Sequence, residues 1–97
     1  MLILIVSQNE DRLHRIQAAV QAAGFHTILA RCLDKAWTKT DFFDFSGVVI
    51  DYELRNDFAA SAFRQRFITL SLDQDASPDA VGIQLTSVFR QCSELVQ

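Results

Sequence analysis

Four polar residues stand directly after, or at the end of, short apolar segments of this chain, and they are the residues best placed to do chemistry. They are Ser7, Gln8, Asp51 and Ser71. Asp51 is the only acid among them, and it follows the apolar run Gly47–Ile50. A carboxylate at such a point can help to hold a hard cation such as Mg²⁺, or it can cap the loop amides that follow. The structural interpretation, exposed to solvent or capping, is the one we favour for Asp51.

The segments that must position these residues alternate between strand and helix. Short apolar runs rich in β-branched residues predict strands at Leu2–Val6, His26–Ala30, Gly47–Ile50 and residues 67–72. Apolar residues at helical spacing predict helices that end at Gly24 and that cover residues 33–39, 58–65 and 77–95. Alternation of this kind builds a parallel sheet with helices on both faces, and ligands then bind at the carboxyl ends of the strands.

Capping residues set the helix ends. The sequence Ser-Gln-Asn-Glu at residues 7–10 fits a capping box with Ser7 as the cap, and Asn9 is the alternative. Ser77, followed by proline and aspartate, begins the last helix. Its apolar stripe consists of Val81, Leu85, Val88, Phe89, Cys92 and Leu95. The aromatic segment 41–45 predicts a turn that packs its rings under the sheet.

Composition and charge narrow the functional classes. With 97 residues, of which 49% are hydrophobic and 22% charged, the chain is one ordered domain spanning residues 1–97. The net charge is −3 and no basic cluster occurs, so nucleic acid is not an expected partner. The apolar start is too short for a membrane span and lacks signal-peptide features, so we expect a cytoplasmic protein without membrane contact. Cys32 and Cys92 are expected to be reduced, mostly buried thiols.

Catalytic arrangements are not supported. No serine, histidine and aspartate, and no cysteine and histidine, stand at a spacing that supports a nucleophilic site. His14 is expected to be exposed on a helix, and His26 to be a hydrogen-bonded residue at a strand edge. No glycine-rich loop follows the first strand, which argues against a nucleotide site. We therefore expect no enzymatic activity, no catalytic residue and no resident metal.

A resemblance to a known family rests on three segments taken together. They are the strand ending at Val6, the helix ending Ala-Ala-Gly-Phe at residues 22–25, and Val-Val-Ile-Asp at residues 48–51. In this combination the chain resembles the receiver domain of response regulators over roughly its first three quarters. The resemblance implies a three-layer α/β/α fold with a parallel sheet, flavodoxin-like or CheY-like. It places Asp51 at the family's phosphoacceptor position and Ser71 at its conserved Ser/Thr position.

The departures from the family pattern are substantial. Receivers carry two acids after the first strand, where this chain has Ser7 and Gln8, and no lysine occurs after Lys39. Residues 54–57 replace the family's proline-glycine loop. Residues 73–77 are too few for the family's next helix and strand, so we expect four strands in the order 2-1-3-4 with the fifth missing. Asp51 alone is a thin ligand set for Mg²⁺, and Glu10 or Glu53 could add to it only by turning inward.

Two functions follow from this resemblance. The first is an atypical receiver that signals through contacts with a protein partner or with itself and is not normally phosphorylated. The alternative is a phosphorylation-competent switch that uses Asp51 with Mg²⁺. A third, weaker hypothesis is an inactive remnant of a larger regulator. We also expect a homodimer, because the strand at residues 67–72 becomes an uncharged sheet edge and because eight Phe exceed what a small core needs.

Overall fold

The computed structural model describes residues 1–54 and 56–96, with side chains as far as residue 90. Within that part the chain forms four strands, β1 (Leu2–Val6), β2 (His26–Ala30), β3 (Gly47–Ile50) and β4 (Ile68–Ser71). Four α-helices alternate with them: α1 (Glu10–Ala22), α2 (Leu33–Lys39), α3 (Ala60–Arg66) and α4 (Val81–Val96). A 3₁₀ turn, Pro78–Ala80, leads into α4.

The sheet is parallel throughout and has the strand order β2-β1-β3-β4, which confirms the predicted fold. Val6 lies beside Ala30 on one side and beside Ile50 on the other. The two central strands therefore end at the same level, and the residues that follow them share one edge of the sheet. The segment from residue 73 to residue 77 contains no strand, as expected, and β4 is one residue shorter at each end than predicted.

Both faces of the sheet are covered, which explains why β1 reads as an unbroken apolar run. Ile3 and Ile5 pack with α1 and α4, on a cluster that includes Ile16 and Leu85. The alternate residues of β1, Leu4 and Val6, pack on the opposite face with α2 and α3. In a strand, successive side chains point to opposite faces, so a strand buried on both faces needs an apolar residue at every position.

Two helix starts differ from the sequence prediction. Asn9, the alternative cap, and not Ser7 caps α1, because its side-chain oxygen accepts a hydrogen bond from the Arg12 amide at 3.0 Å. The third helix begins at Ala60 rather than at residue 58, and the Asp57 carboxylate accepts a hydrogen bond from the Ala59 amide at 3.0 Å just before it. Phe58 therefore precedes the helix and is 93% exposed.

The prediction for the aromatic segment at residues 41–45 was wrong for two of its three rings. The backbone continues in helix-like turns as far as Phe43, whose amide bonds to the Lys39 carbonyl. This path brings only Phe45 into the core and leaves Phe42 and Phe43 exposed. At the other end of the chain, Cys92 and Leu95 of the predicted α4 stripe lie outside the described side chains, and Arg55 lies outside the described residues.

Close packing of α4 on α1 depends on Gly82. A Cβ atom at this position would lie 2.5 Å from the Ala19 carbonyl oxygen and 3.1 Å from the Ala23 Cβ. Real Cβ atoms do not approach backbone oxygens this closely, so any larger residue must push the two helices apart.

We therefore predict that Gly82→Ala lowers the free energy of unfolding, by about 1–3 kcal/mol, as over-packed cores do. The usual effect of this substitution within a helix is a gain of roughly 0.5–1 kcal/mol, so the sign itself is diagnostic. Urea denaturation measures the change. Ser87→Ala, on an exposed position of the same helix, serves as the control and should be nearly neutral. A stabilised Gly82→Ala protein would contradict the described packing.

Candidate functional site

The candidate site lies where β1 and β3 end side by side. Ser7 and Asp51 each follow a residue of the paired Val6 and Ile50, and their backbone amides still bond to neighbouring strands. Their side chains consequently meet, and the Ser7 hydroxyl donates a hydrogen bond to Asp51 Oδ2 at 2.8 Å. Ser7 also accepts a hydrogen bond from the Asn9 amide, so it links the site to the start of α1.

Arg12 forms the main contact of the site. Its Nε donates to Asp51 Oδ2 and its Nη2 donates to Asp51 Oδ1, each at 2.8 Å. The guanidinium and the carboxylate thus form a two-point, charge-assisted pair, which is the strongest common geometry for such groups. The Cζ atom of Arg12 also lies 4.9 Å from the centre of the Tyr52 ring, where the aromatic face attracts a cation.

The Asp51 carboxylate is fully buried and its acceptor positions are filled. The Tyr52 amide donates to Oδ1 at 2.9 Å, which brings the total to four hydrogen bonds with those from Ser7 and Arg12. A carboxylate offers about four acceptor positions. The expectation that Asp51 points into solvent was therefore wrong, because its side chain has no exposed surface. The expectation that it caps the following loop amide is confirmed at Tyr52.

Opposing effects set the protonation of this pair. Burial raises the pKa of Asp51. Hydrogen bonds from Arg12, Ser7 and the Tyr52 amide, together with the charge of Arg12, lower this pKa by more than burial raises it, so the net pKa is below the ordinary value. The hydrogen bond to Asp51 also raises the pKa of Arg12. Both groups are therefore charged at neutral pH, and the pair is ionic.

The two other predicted pocket positions do not join this cluster. The Gln8 side chain is exposed. Ser71 lies beside Ile50, one residue short of the level of Asp51, and its hydroxyl accepts a hydrogen bond from Arg64 of α3 at 3.0 Å. It therefore faces α3 and not the carboxylate, because successive residues of a strand point to opposite faces.

The described residues do not fit the magnesium ion that the receiver fold implies. The positions after β1 are a serine and an exposed glutamine, and every acceptor position of Asp51 is already used. Glu10, which could have turned inward, pairs with Arg31 at 2.7 Å, and Glu53 is exposed. Among the described side chains, no three histidines, cysteines or acids converge to hold a metal.

Sequence reasoning missed Arg12, although a signal was present. Arg12 is the third helical residue after the cap Asn9, in the first turn of α1. The positive end of the helix dipole favours acids in this turn, and Glu10 and Asp11 obey that rule. A cation in the same turn goes against it, and such an exception calls for a nearby carboxylate.

A second feature is aromatic surface on the α2–α3 side of the molecule. A groove of about 460 Å³ there is lined by Trp37, Phe63 and neighbouring residues. The Trp37 ring contacts Phe63 edge-on, with the ring centres 5.1 Å apart, and remains partly exposed. Phe42, next to α2, is 76% exposed, and Phe58 precedes α3.

Of the described helices, none is long and apolar enough to cross a lipid bilayer.

Comparisons with known proteins place the fold. No protein family model matches the chain, and no curated protein sequence matches it. Solved structures do match. An orphan response regulator of H. pylori has 13% identity and a TM-score of 0.66, covering 90% of this chain and 94% of its own. A response regulator from Thermotoga maritima has 12% identity and a TM-score of 0.62, covering 90% and 95%.

A response regulator from Burkholderia multivorans gives the same result, with 13% identity, a TM-score of 0.62, and 90% and 93% of the two chains covered. At such identities the likeness concerns the fold. The chain has the CheY-like fold of response-regulator receivers, and Asp51 lies at the end of its third strand.

We predict that Arg12→Ala lowers the free energy of unfolding by about 3 kcal/mol, because it leaves a buried carboxylate without its countercharge. Urea denaturation at neutral pH measures the loss. Arg15→Ala is the matched control on the same helix, since Arg15 pairs with Asp79 at the surface at 3.3 Å. That pair should contribute less than about 1 kcal/mol. Equal losses in the two variants would contradict the burial of the site.

A pH dependence follows from the lowered pKa of Asp51. The unfolded chain protonates this group near its ordinary pKa of about 3.9, and the folded chain does so only at lower pH. The ionised pair therefore stabilises the fold at any pH above the pKa of Asp51 in the unfolded chain. This stabilisation is lost as the pH falls through the lower pKa of Asp51 in the folded chain. We predict that the stability difference between the wild type and Asp51→Asn is largest at neutral pH and shrinks below pH of about 4. A difference that grows on acidification would contradict the ionised pair.

Proposed function

We propose that this domain is an atypical receiver that acts in cytoplasmic signal transduction through protein–protein contacts and is not phosphorylated in the normal way. One observation carries the proposal: the carboxylate at the phosphoacceptor position is fully buried and is held by Arg12, Ser7 and the Tyr52 amide. An aspartate attacks a phosphoryl group with a free carboxylate oxygen, and neither oxygen of Asp51 is free.

The guanidinium takes over the electrostatic part of a receiver site. The resemblance implies that Mg²⁺ and a lysine neutralise the aspartate and its phosphoryl group in the family. In this chain Arg12 neutralises Asp51 directly, and the charge stays within the protein. A site of this kind supports one fixed arrangement of the strand ends, which suits a domain that presents a constant surface to a partner.

The exposed aromatic side chains support the second half of the proposal. Phe42 and Phe58 are large apolar groups in contact with solvent, near the groove that Trp37 lines. Large exposed apolar side chains close to a groove are typical of interaction sites in soluble proteins. Protein contacts, rather than contacts with nucleic acid or a membrane, are also what the net charge of −3 favours.

The alternative function, a switch phosphorylated at Asp51, requires Arg12 to leave the carboxylate and Mg²⁺ to replace it. Among the described residues, no three histidines, cysteines or acids converge there to hold the ion. Among the contacts of the described residues none favours this alternative, and phosphorylation by a small donor distinguishes the two.

We predict that acetyl phosphate with Mg²⁺ leaves the wild-type protein largely unmodified, because the nucleophile is occupied. Intact-mass spectrometry measures the gain of one phosphoryl group, and a receiver that keeps both acids after its first strand serves as the positive control. Asp51→Asn should show the same lack of a phosphoryl gain as the wild type. A near-complete phosphoryl gain that Asp51→Asn abolishes would overturn the proposal.

A further inference from the structure

The outer side of β4 is an open sheet edge. β4 pairs with β3 on one side, and no described strand pairs with it on the other. The Leu72 amide donates to the Ile50 carbonyl at 2.9 Å, so residue 72 faces β3. Backbone groups in a parallel strand face its two neighbours alternately. The amides and carbonyls of Thr69 and Ser71 therefore face outward, away from the sheet.

Nothing on the strand itself blocks this edge. Residues Ile68–Ser71 contain no charge and no proline, the two devices that most often protect edges in native sheets. The α4 helix does not supply cover, because its residues Val81 and Leu85 are buried against α1 and the sheet face. Around the edge Leu70 and Phe89 are only partly buried, and Ile68 is exposed.

We propose that β4 pairs with β4 of a second copy of this chain, antiparallel, about a two-fold axis that passes beside Leu70. The reason is self-complementarity. Thr69 and Ser71 are spaced by two residues, so Thr69 of one copy lies opposite Ser71 of the other, and each such pair exchanges two backbone hydrogen bonds. Four outward amides and four outward carbonyls are present in the two copies, and all can be matched in this register.

Side chains on both faces suit the same register. Leu70 lies on the α1–α4 face, so the two Leu70 side chains become neighbours across the axis. Ser71 lies on the α3 face with Arg64, and Thr69, two residues away, lies on that face as well. Cross-strand pairs of aliphatic side chains and of hydroxyl side chains both stabilise antiparallel sheets. The product is a continuous sheet of eight strands, twice the four of one copy.

The edge is short, so the dimer is expected to be weak. Four residues cover less than a standard interface, which places the dissociation constant on the order of 10–100 μM. This inference rests on the proposed function, because it names the partner of the interaction domain as a second copy. Phosphorylation and association are nevertheless measured separately. If the protein is a monomer and resists acetyl phosphate, only the dimer proposal is refuted. If it is a dimer and accepts a phosphoryl group, only the proposed function is refuted.

Disulfide trapping tests the register directly. Leu70→Cys, in a Cys32→Ser, Cys92→Ser background, should form an intermolecular disulfide on mild oxidation, because residues at the axis have Cα atoms only about 4.5 Å apart. Leu29→Cys is the matched control: Leu29 is a partly buried leucine on the same face of the opposite edge strand β2. Trapping of Leu70→Cys alone supports the proposal. Equal trapping of both variants, or of neither, overturns it.

Sedimentation of proteins without new cysteines gives an independent result. The wild type should shift from monomer towards dimer between roughly 10 and 500 μM, the range set by the expected affinity. Thr69→Pro removes one outward amide and should abolish the shift, whereas Thr27→Pro on the outer side of β2 should not. A wild type that stays monomeric throughout this range overturns the proposal, as does a dimer that Thr69→Pro leaves intact.

Discussion

A buried negative charge is the constraint on which the rest of the site depends. Asp51 has no exposed side-chain surface, and an isolated carboxylate in that position would be strongly unfavourable. Arg12 neutralises this charge with two charge-assisted hydrogen bonds, and Ser7 and the Tyr52 amide fill the remaining acceptor positions. This solution in turn fixes where α1 begins, because Arg12 must lie over the strand ends while Asn9 caps the helix.

Under the proposed function, the same contacts separate this domain from a receiver that switches. A phosphorylated aspartate changes the charge at the strand ends, and a receiver transmits that change to its surface. Here a side chain of the protein already supplies the positive charge, 2.8 Å from both carboxylate oxygens. Under that proposal the surface that a partner meets is constant, and regulation comes from the amount of the protein or from its association rather than from the state of Asp51.

The sequence was sufficient for the architecture and insufficient for the site. Unbroken apolar runs and capping residues predicted four parallel strands, because burial on both faces leaves a strong local pattern, and the resemblance to receivers supplied their order. Asp51 and Ser7 were placed correctly at the strand ends. The Arg12–Asp51 contact joins residues 39 positions apart, and the local signal at Arg12, a cation in the first turn of a helix, does not identify its partner. Phe42 was expected to pack under the sheet and Phe58 to begin the third helix, but turns that depend on neighbouring hydrogen bonds directed both side chains into solvent.

A double-mutant cycle between Arg12 and Asp51 tests the central claim most directly. The free energies of unfolding of the wild type, Arg12→Ala, Asp51→Asn and the double variant are compared at neutral pH. The account predicts a coupling of at least about 1.5 kcal/mol, because either single substitution leaves the other group unpaired in a buried place. Losses that add to within about 0.5 kcal/mol would show that the two side chains act independently, and would contradict a site locked by this ion pair.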